Sequence, residues 1–355
     1  MLDAIDAARE SARLEMYIFN SGIMADRFRL ALTAAARRGV KVQVLLDAAG
    51  SLYLPGTFWA EFSAAGGELR WFNPLRFSRL GFRDHRKLLV CDETVAFVGG
   101  FNISAEYVGD GVKSGWRDLG LRVTGSLANR LAVAFDDMFV HADFKHRLFA
   151  RLRKSPRQRA VNLPETHILL GGPGRSHPLK RALHHDLKSA HSVQLMTAYF
   201  LPSWRLRRDL ARVVRQGGRA QLILPGRTDL PTAQRAARHF YTRLLRAGVE
   251  IYEYQPQVLH AKLFVIDQSA YAGLANLDVR SLSINYELML RLSKPAVVEE
   301  ARAIFENDLG QCRRIELKEW TRRRSFFDIL KSRWSCFLLA RLDPAIARHQ
   351  WRSLR

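Results

Sequence analysis

A chain of 355 residues exceeds the usual single core, and 48% hydrophobic residues mark it as globular rather than disordered or fibrous. A formal net charge of +22 gives a positive field suited to nucleic acid, anionic lipid or another phosphate-bearing partner. Cys91, Cys312 and Cys336 form an odd set without a CxxC pair, which argues against a disulfide framework or a zinc site and for a reducing cytoplasm. The start lacks the basic-then-apolar layout of a signal peptide, and no apolar run reaches the roughly 18 residues that cross a bilayer. Membrane contact is therefore expected to be peripheral.

In chain order, LEMYIF reads as a strand, and SGIMADRFRLALTAAARRGV places Ile23, Phe28, Leu30, Leu32 and Ala35 near helical spacing, with Gly39 as a stop. KVQVLLD is a buried strand, TFWAEFSAAGG a second helix, ELRWF a strand, and Asn73-Pro74 a turn before HRKLLVCD. The same order returns: SVQLMTAYF, LRRDLARVVRQGG, RAQLILPG, HFYTRLLRAGVEIYEYQP and finally HAKLFVID. Strand-helix alternation written twice predicts an α/β protein made of two duplicated halves. The join falls near ARLRKSPRQRA, giving halves at 1–155 and 156–315 and a basic amphipathic tail at 316–355.

Each series closes on a His-x-Lys-x4-Asp pattern, His85, Lys87 and Asp92 in the first and His260, Lys262 and Asp267 in the second. On a strand the alternation of side chains puts His85 with Lys87 on one face and Arg86 with Asp92 on the other. A proton carrier or nucleophile beside a fixed cation suits attack on a phosphodiester, whose charge grows in the transition state. Asp92 and Asp267 stand where the strands end, a position for making turns or supporting the site. VAFVGGFN and AYAGLAN read as returning hairpin strands that carry Asn102 and Asn276, amide donors suited to a phosphoryl oxygen. WRDLGLRV and NYELMLRL align Asp118 with Glu287, and each carboxylate is expected to fix the tautomer of the imidazole that precedes it.

HRKLLVCDETVAFVGGFNIS and HAKLFVIDQSAYAGLANLDVRS resemble the paired HKD motifs of the phospholipase D superfamily. FNPLRFSRLGFRDHRKLL, TAYFLP, the stretch through LPGRTDLP, and NLDVRSLSINYE are similar to its bacterial cardiolipin synthase branch, of the short type without transmembrane helices. The resemblance implies a pseudo-twofold α/β fold with mixed sheets, in which both motifs serve one active site. It implies no cofactor, no metal and no partner chain to complete that site. His85 is assigned the attack that forms a phosphohistidine, and His260 the proton transfer to departing glycerol. Lys87, Lys262, Asn102 and Asn276 are implied to hold phosphoryl oxygens, and Asp118 and Glu287 to orient the imidazoles.

Two departures stand in the second copy: Asp267 to Asn276 is one step shorter than Asp92 to Asn102, and Leu274 occupies a position where the family usually has Ser. The loop LRFSRLGFRDH and the tail from Trp320 mix Arg with aromatic and aliphatic residues, as surfaces touching anionic lipid do. The expected protein is a phosphatidyltransferase joining two phosphatidylglycerols, held peripherally at the inner face of the cell membrane. Rival readings are a phospholipase D-type hydrolase or nucleic-acid phosphodiesterase, and a non-catalytic protein that binds anionic membranes.

Overall fold

In the computed structural model the described residues are 1–74, 81–142, 159–173, 177–345 and 347. They divide into two units: 1–108 with 120–142, and 109–119 with 159–347.

The first unit has strands β1 (Ser11–Met16), β2 (Lys41–Asp47), β3 (Glu68–Phe72), β4 (Leu88–Cys91), β5 (Val95–Gly99) and β6 (Gly120–Thr124), in sheet order β3-β2-β1-β4-β5-β6. β1, β2 and β3 run parallel, and β4 joins β1 antiparallel. Helices α1 (Leu2–Ala7), α2 (Ile23–Arg37), α3 (Ala60–Ala64) and α4 (Ser126–Val140) complete it. The α2 stripe is narrower than its spacing predicts. Phe28, Leu32 and Ala35 enter the core, while Ile23 and Leu30 face solvent. The predicted second helix shrinks to α3, and its end is set where the chain turns at Gly66, whose φ of 89° suits glycine.

The second unit adds β7 (Arg159–Leu163), β8 (Thr166–Gly171), β9 (Ser192–Met196), β10 (Arg219–Arg227), β11 (Glu250–Val258), β12 (Leu263–Ile266), β13 (Ser269–Gly273), β14 (Glu287–Leu292) and β15 (Cys312–Arg314). Its sheet order is β15-β11-β10-β9-β12-β13-β14-β8-β7. The run β11-β10-β9-β12-β13-β14 repeats the first sheet strand for strand, parallel pairs included. Duplication is thus visible in hydrogen bonding as well as in sequence. Helices α5 (Pro178–Leu187), α6 (Trp204–Arg215), α7 (Pro231–Arg246), α8 (Pro295–Leu309), α9 (Leu317–Arg323) and α10 (Phe326–Phe337) belong to this unit.

Each unit buries its own core. Leu14, Val44, Leu46, Leu89 and Phe62 pack in the first, and Leu195, Leu222, Ile251, Phe264 and Tyr241 in the second. Near-continuous apolar strands such as β12 are what parallel and central strands covered on both faces require. The expected boundary at 155/156 and residues 75–80 of the proposed lipid-touching loop lie outside the described residues, while Arg159 and Ala160, at the end of the stretch ARLRKSPRQRA, already belong to β7. The loop's end is described and is not lipid-facing: Phe82, Arg83 and Asp84 are buried. Among the described residues no helix is long and apolar enough to cross a membrane.

Candidate active site

Both His-x-Lys pairs sit just ahead of their strands, since β4 starts at Leu88 and β12 at Leu263. The expected strand alternation therefore applies to the apolar tail of each motif and not to its His-Lys pair. In the second unit the backbone amides of His260 and Ala261 donate to the carbonyl of Arg117 at 2.8 and 3.0 Å, and Arg117 N donates to Val258 O at 2.8 Å. This short parallel bridge replaces the missing strand pairing and fixes the lead-in.

Its consequence is chemical. Asp118 is carried beside His260, and its Oδ2 lies 2.6 Å from the imidazole Nδ1. Symmetry of the repeat assigns Asp118 to His85, and the structure corrects that. The carboxylate hydrogen-bonded to His260 is Asp118, delivered by residues 109–119, which leave the first unit after β5 and return at β6. Three further links hold this segment. Arg117 pairs with Asp308 at 2.9 Å, Tyr254 Oη donates to Gly111 O at 2.8 Å, and Gln257 Nε2 donates to Lys113 O at 3.1 Å. The Asp308 carboxyl is pushed up by burial, and the Arg117 guanidinium works against that shift.

Lys262 is almost fully buried, with Nζ 2.8 Å from His260 Nδ1 and 3.1 Å from Nε2, and it also donates to the His260 carbonyl. Burial brings the ammonium down to about 8, although Asp118 and Glu287 both favour its charged form. Glu287, at the start of β14 and 1% exposed, thus acts on Lys262 through its charge. The rings of Trp116 and Tyr199 stand 5.6 and 6.4 Å from the His260 ring, tilted and edge-on respectively, and flank it.

In the first unit His85 is half-buried and meets the edge of the Tyr17 ring at 4.9 Å. Lys87 Nζ donates to the His85 carbonyl at 2.9 Å and lies 5.3 Å over the Tyr17 ring. Sequence reasoning missed the groups that hold this lead-in. Arg86 pairs with Glu15 at 3.1 Å, and Arg83 with Asp47 at 3.5 Å. Asp47 also accepts from the amides of Ala49, Gly50 and Asp84. Burial and mutual repulsion push Asp84 well up, and burial raises Glu15 and carries Asp47 to about 6. The signal was present as charged residues inside apolar strands. The second copy has Leu259 and Ala261 where Asp84 and Arg86 stand, so the network belongs to the first half alone.

Asn102 Oδ1 accepts from Ile18 N at 3.0 Å, and its Nδ2 donates to Tyr107 Oη at 2.7 Å. Asn276 Oδ1 accepts from Tyr199 N at 3.2 Å and from Thr197 Oγ1 at 3.3 Å. Each Asn thus ties its hairpin to the end of the neighbouring strand. Leu274 is fully buried and leaves these bonds in place. The missing residue lies in the hairpin turn: Asp92, Glu93 and Thr94 link β4 to β5, whereas Asp267 and Gln268 link β12 to β13. Both strands after the turn are five residues long, so the deletion is absorbed at the end remote from Asn276. Gly273, at φ 152°, permits close approach: a Cβ there would meet Leu288 O at 2.6 Å.

Asp92 and Asp267 occupy those turns with φ of 51° and 43°. Asp92 accepts from the amides of Arg9, Glu10 and Ser11, and Asp267 from those of His191 and Ser192. Each carboxylate caps the start of β1 or β9. Among the described residues no cluster of His, Cys, Asp and Glu has the makings of a metal site.

The comparisons agree with this architecture. The family described as cardiolipin synthase, phospholipase D-like domain, matches residues 1–135 and 183–309. A cardiolipin synthase of Clostridium perfringens (strain SM101 / Type A) is 30% identical over 335 residues, 91% of this chain and 70% of that protein. The major cardiolipin synthase ClsA of Bacillus subtilis (strain 168) is 29% identical over 340 residues, 94% of this chain and 70% of that protein. Among solved structures, the phosphatidylserine synthase of Haemophilus influenzae Rd KW20 aligns with a TM-score of 0.75 at 13% identity, covering 98% of this chain and 92% of that one. The polyphosphate kinase of Porphyromonas gingivalis aligns at 0.61 and 15% identity, covering 89% and 46%. At such identities these two likenesses show the fold. The family match spans most of the chain and falls on both halves with their His-Lys lead-ins, and this chain belongs to the cardiolipin synthase, phospholipase D-like domain family.

Proposed function

We propose that the chain is a phosphatidyltransferase that makes cardiolipin from two phosphatidylglycerols and releases glycerol. The observation that carries this reading is the Asp118 carboxylate on Nδ1 of a buried His260, with the Lys262 ammonium beside it. A carboxylate there stabilises the imidazolium and leaves Nε2 to deliver a proton, the arrangement a general acid needs.

In the proposed reaction a ring nitrogen of His85 attacks the phosphorus. A P–N bond forms while the P–O bond to glycerol breaks, and His260 gives its proton to the departing oxygen. The hydroxyl of a second phosphatidylglycerol then returns a proton to His260 and attacks phosphorus, which frees His85. Lys87 and Lys262 hold the non-bridging oxygens as charge accumulates, and Asn102 and Asn276 support that cradle. Asp92 and Asp267 keep the strand ends in register, and Glu287 helps keep Lys262 charged. The enzyme works peripherally at the inner face of the cell membrane, and no second chain is needed to supply a motif.

Mass spectrometry after incubation with phosphatidylglycerol tests the reading, with cardiolipin and one glycerol per cardiolipin expected. His85→Ala and His260→Ala should each lower the rate by roughly 10³-fold or more. Phosphatidic acid as the sole product would mean hydrolysis instead, and His-dependent cleavage of DNA without lipid turnover would mean a nuclease. Phosphoenzyme trapped on His260 would reverse the two histidine roles.

A further inference from the structure

Helix α10 is amphipathic in the reverse sense. Its buried residues are Ser332 and Ser335, whereas Phe326, Phe327, Leu330, Trp334 and Phe337 are 74, 69, 54, 62 and 50% exposed. At 3.6 residues per turn those five side chains share an arc of about 100° opposite Ser332. Lys331 and Arg333 border the stripe on either side, and Arg322, Arg323 and Arg324 precede it. Residues 317–345 carry seven cations against three carboxylates. A cavity of about 320 Å³ beside α10, lined in part by Arg235, Arg313, Arg314 and Arg324, extends the positive field.

The helix is held firmly. Ser325 and Asp328 form a capping box at its start, and Arg324 Nη2 donates to Ser332 Oγ at 2.7 Å. Trp320 Nε1 donates to Thr242 Oγ1 at 3.2 Å while its ring lies against Tyr241. Arg280 grips Asp343 at 2.6 Å, and Cys336 packs on the core of the second unit. An exposed aromatic stripe on a fixed helix is the kind of patch that marks an interaction surface.

We propose that this face of α10 is a docking surface for an anionic lipid bilayer, with the five apolar side chains in the interface and Lys331, Arg333 and the neighbouring arginines on the headgroup phosphates. Charge complementarity selects the bilayer over a second copy of the chain, because two such faces would set cation rows against each other. The proposal rests on the lipid reading above for the identity of the surface and extends it to particular residues.

The test is sedimentation of the full chain with vesicles of phosphatidylglycerol and phosphatidylcholine, and with phosphatidylcholine alone. The triple variant Phe327→Gln, Leu330→Gln, Trp334→Gln should bind the anionic vesicles at least about ten-fold less tightly. Its melting and its turnover of a short-chain, monomeric phosphatidylglycerol should stay unchanged. Lys331→Gln with Arg333→Gln should weaken binding to the anionic vesicles only. Unchanged vesicle binding by the triple variant overturns the proposal, as does a vesicle-free dimer of the parent chain that the triple variant splits. If the triple variant melts early, brominated-lipid quenching decides: a loss of quenching in Trp334→Phe supports docking, and no difference from the parent refutes it. Binding is read without catalysis, so it stands or falls separately from the proposed reaction.

Discussion

Asp118 and Lys262 both lie against the imidazole of His260, 2.6 and 2.8 Å from its Nδ1, and the proposed reaction gives them opposite charges to use. Asp118→Asn keeps the shape but removes the charge that supports an imidazolium, and an amide offers its nitrogen or its oxygen to Nδ1 without distinction. The expected effect is a fall of about 10³-fold in kcat with little change in melting temperature, measured on short-chain phosphatidylglycerol. Lys262 titrates at about 8 instead of the ordinary 10.5, chiefly because it is buried. The free enzyme should therefore lose kcat/KM as pH rises through 8, and Lys262→Arg, charged beyond pH 12, should lack that alkaline limb. An unchanged limb in the Arg variant would assign it to another group. The stability sign is the reverse of the activity sign. Between pH 8 and 10.5 the unfolded chain binds more protons at this residue than the folded one, so the penalty of burying the ammonium is complete below 8 and relieved as pH rises.

At the scale of the element, the two hairpins show what a deletion costs when it falls in a turn. β4–β5 and β12–β13 keep matching strands because the lost residue is on the side of Asp267, away from Gly273 and Asn276. Leu274 then fills a fully buried position beside a hairpin whose hydrogen bonds are intact. Asp92 has a complementary task. Burial raises its carboxyl, but the amides of Ser11, Glu10 and Arg9 outweigh that and hold it below the ordinary value. Its contribution to stability is present above the usual carboxylate range and fades as pH falls through the lowered value. Asp92→Ala leaves those amides to water, so a loss of roughly 1–2 kcal/mol in urea unfolding is expected, with kcat kept within a few-fold. A large loss of kcat at unchanged stability would place Asp92 in the chemistry itself.

For the whole molecule, the +22 charge and the aromatic stripe of α10 answer to different variables. Long-range attraction to anionic vesicles should weaken as salt rises from about 0.1 to 1 M, where the screening length falls from about 10 to 3 Å. Apolar insertion persists in salt. Vesicle pelleting against ionic strength should therefore show a salt-sensitive part and a residual part, the latter removed by the triple substitution on α10. Complete loss of binding at high salt in the parent chain would leave charge as the whole of the attraction.

Much of this protein was legible in one dimension. Apolar strands at recurring intervals, each series closed by a His-x-Lys lead-in, determined an α/β duplication and the strands the two halves share, because strand burial is set by local pattern; β7, β8 and β15, which have no counterpart in the first sheet, were not read from it. The same repetition singled out His85, Lys87, His260 and Lys262. It could not assign the carboxylates. An alignment of Asp118 with Glu287 expresses equivalence between halves, whereas a hydrogen bond needs proximity, and Asp118 reaches His260 across 142 positions only because residues 109–119 fold into the second unit. The Glu15–Asp84–Arg86 network likewise joins two parts of the sequence about seventy positions apart. Nor did helical spacing reveal that α10 turns its serines inward and its aromatics outward, since periodicity marks two faces and packing alone decides which one is buried.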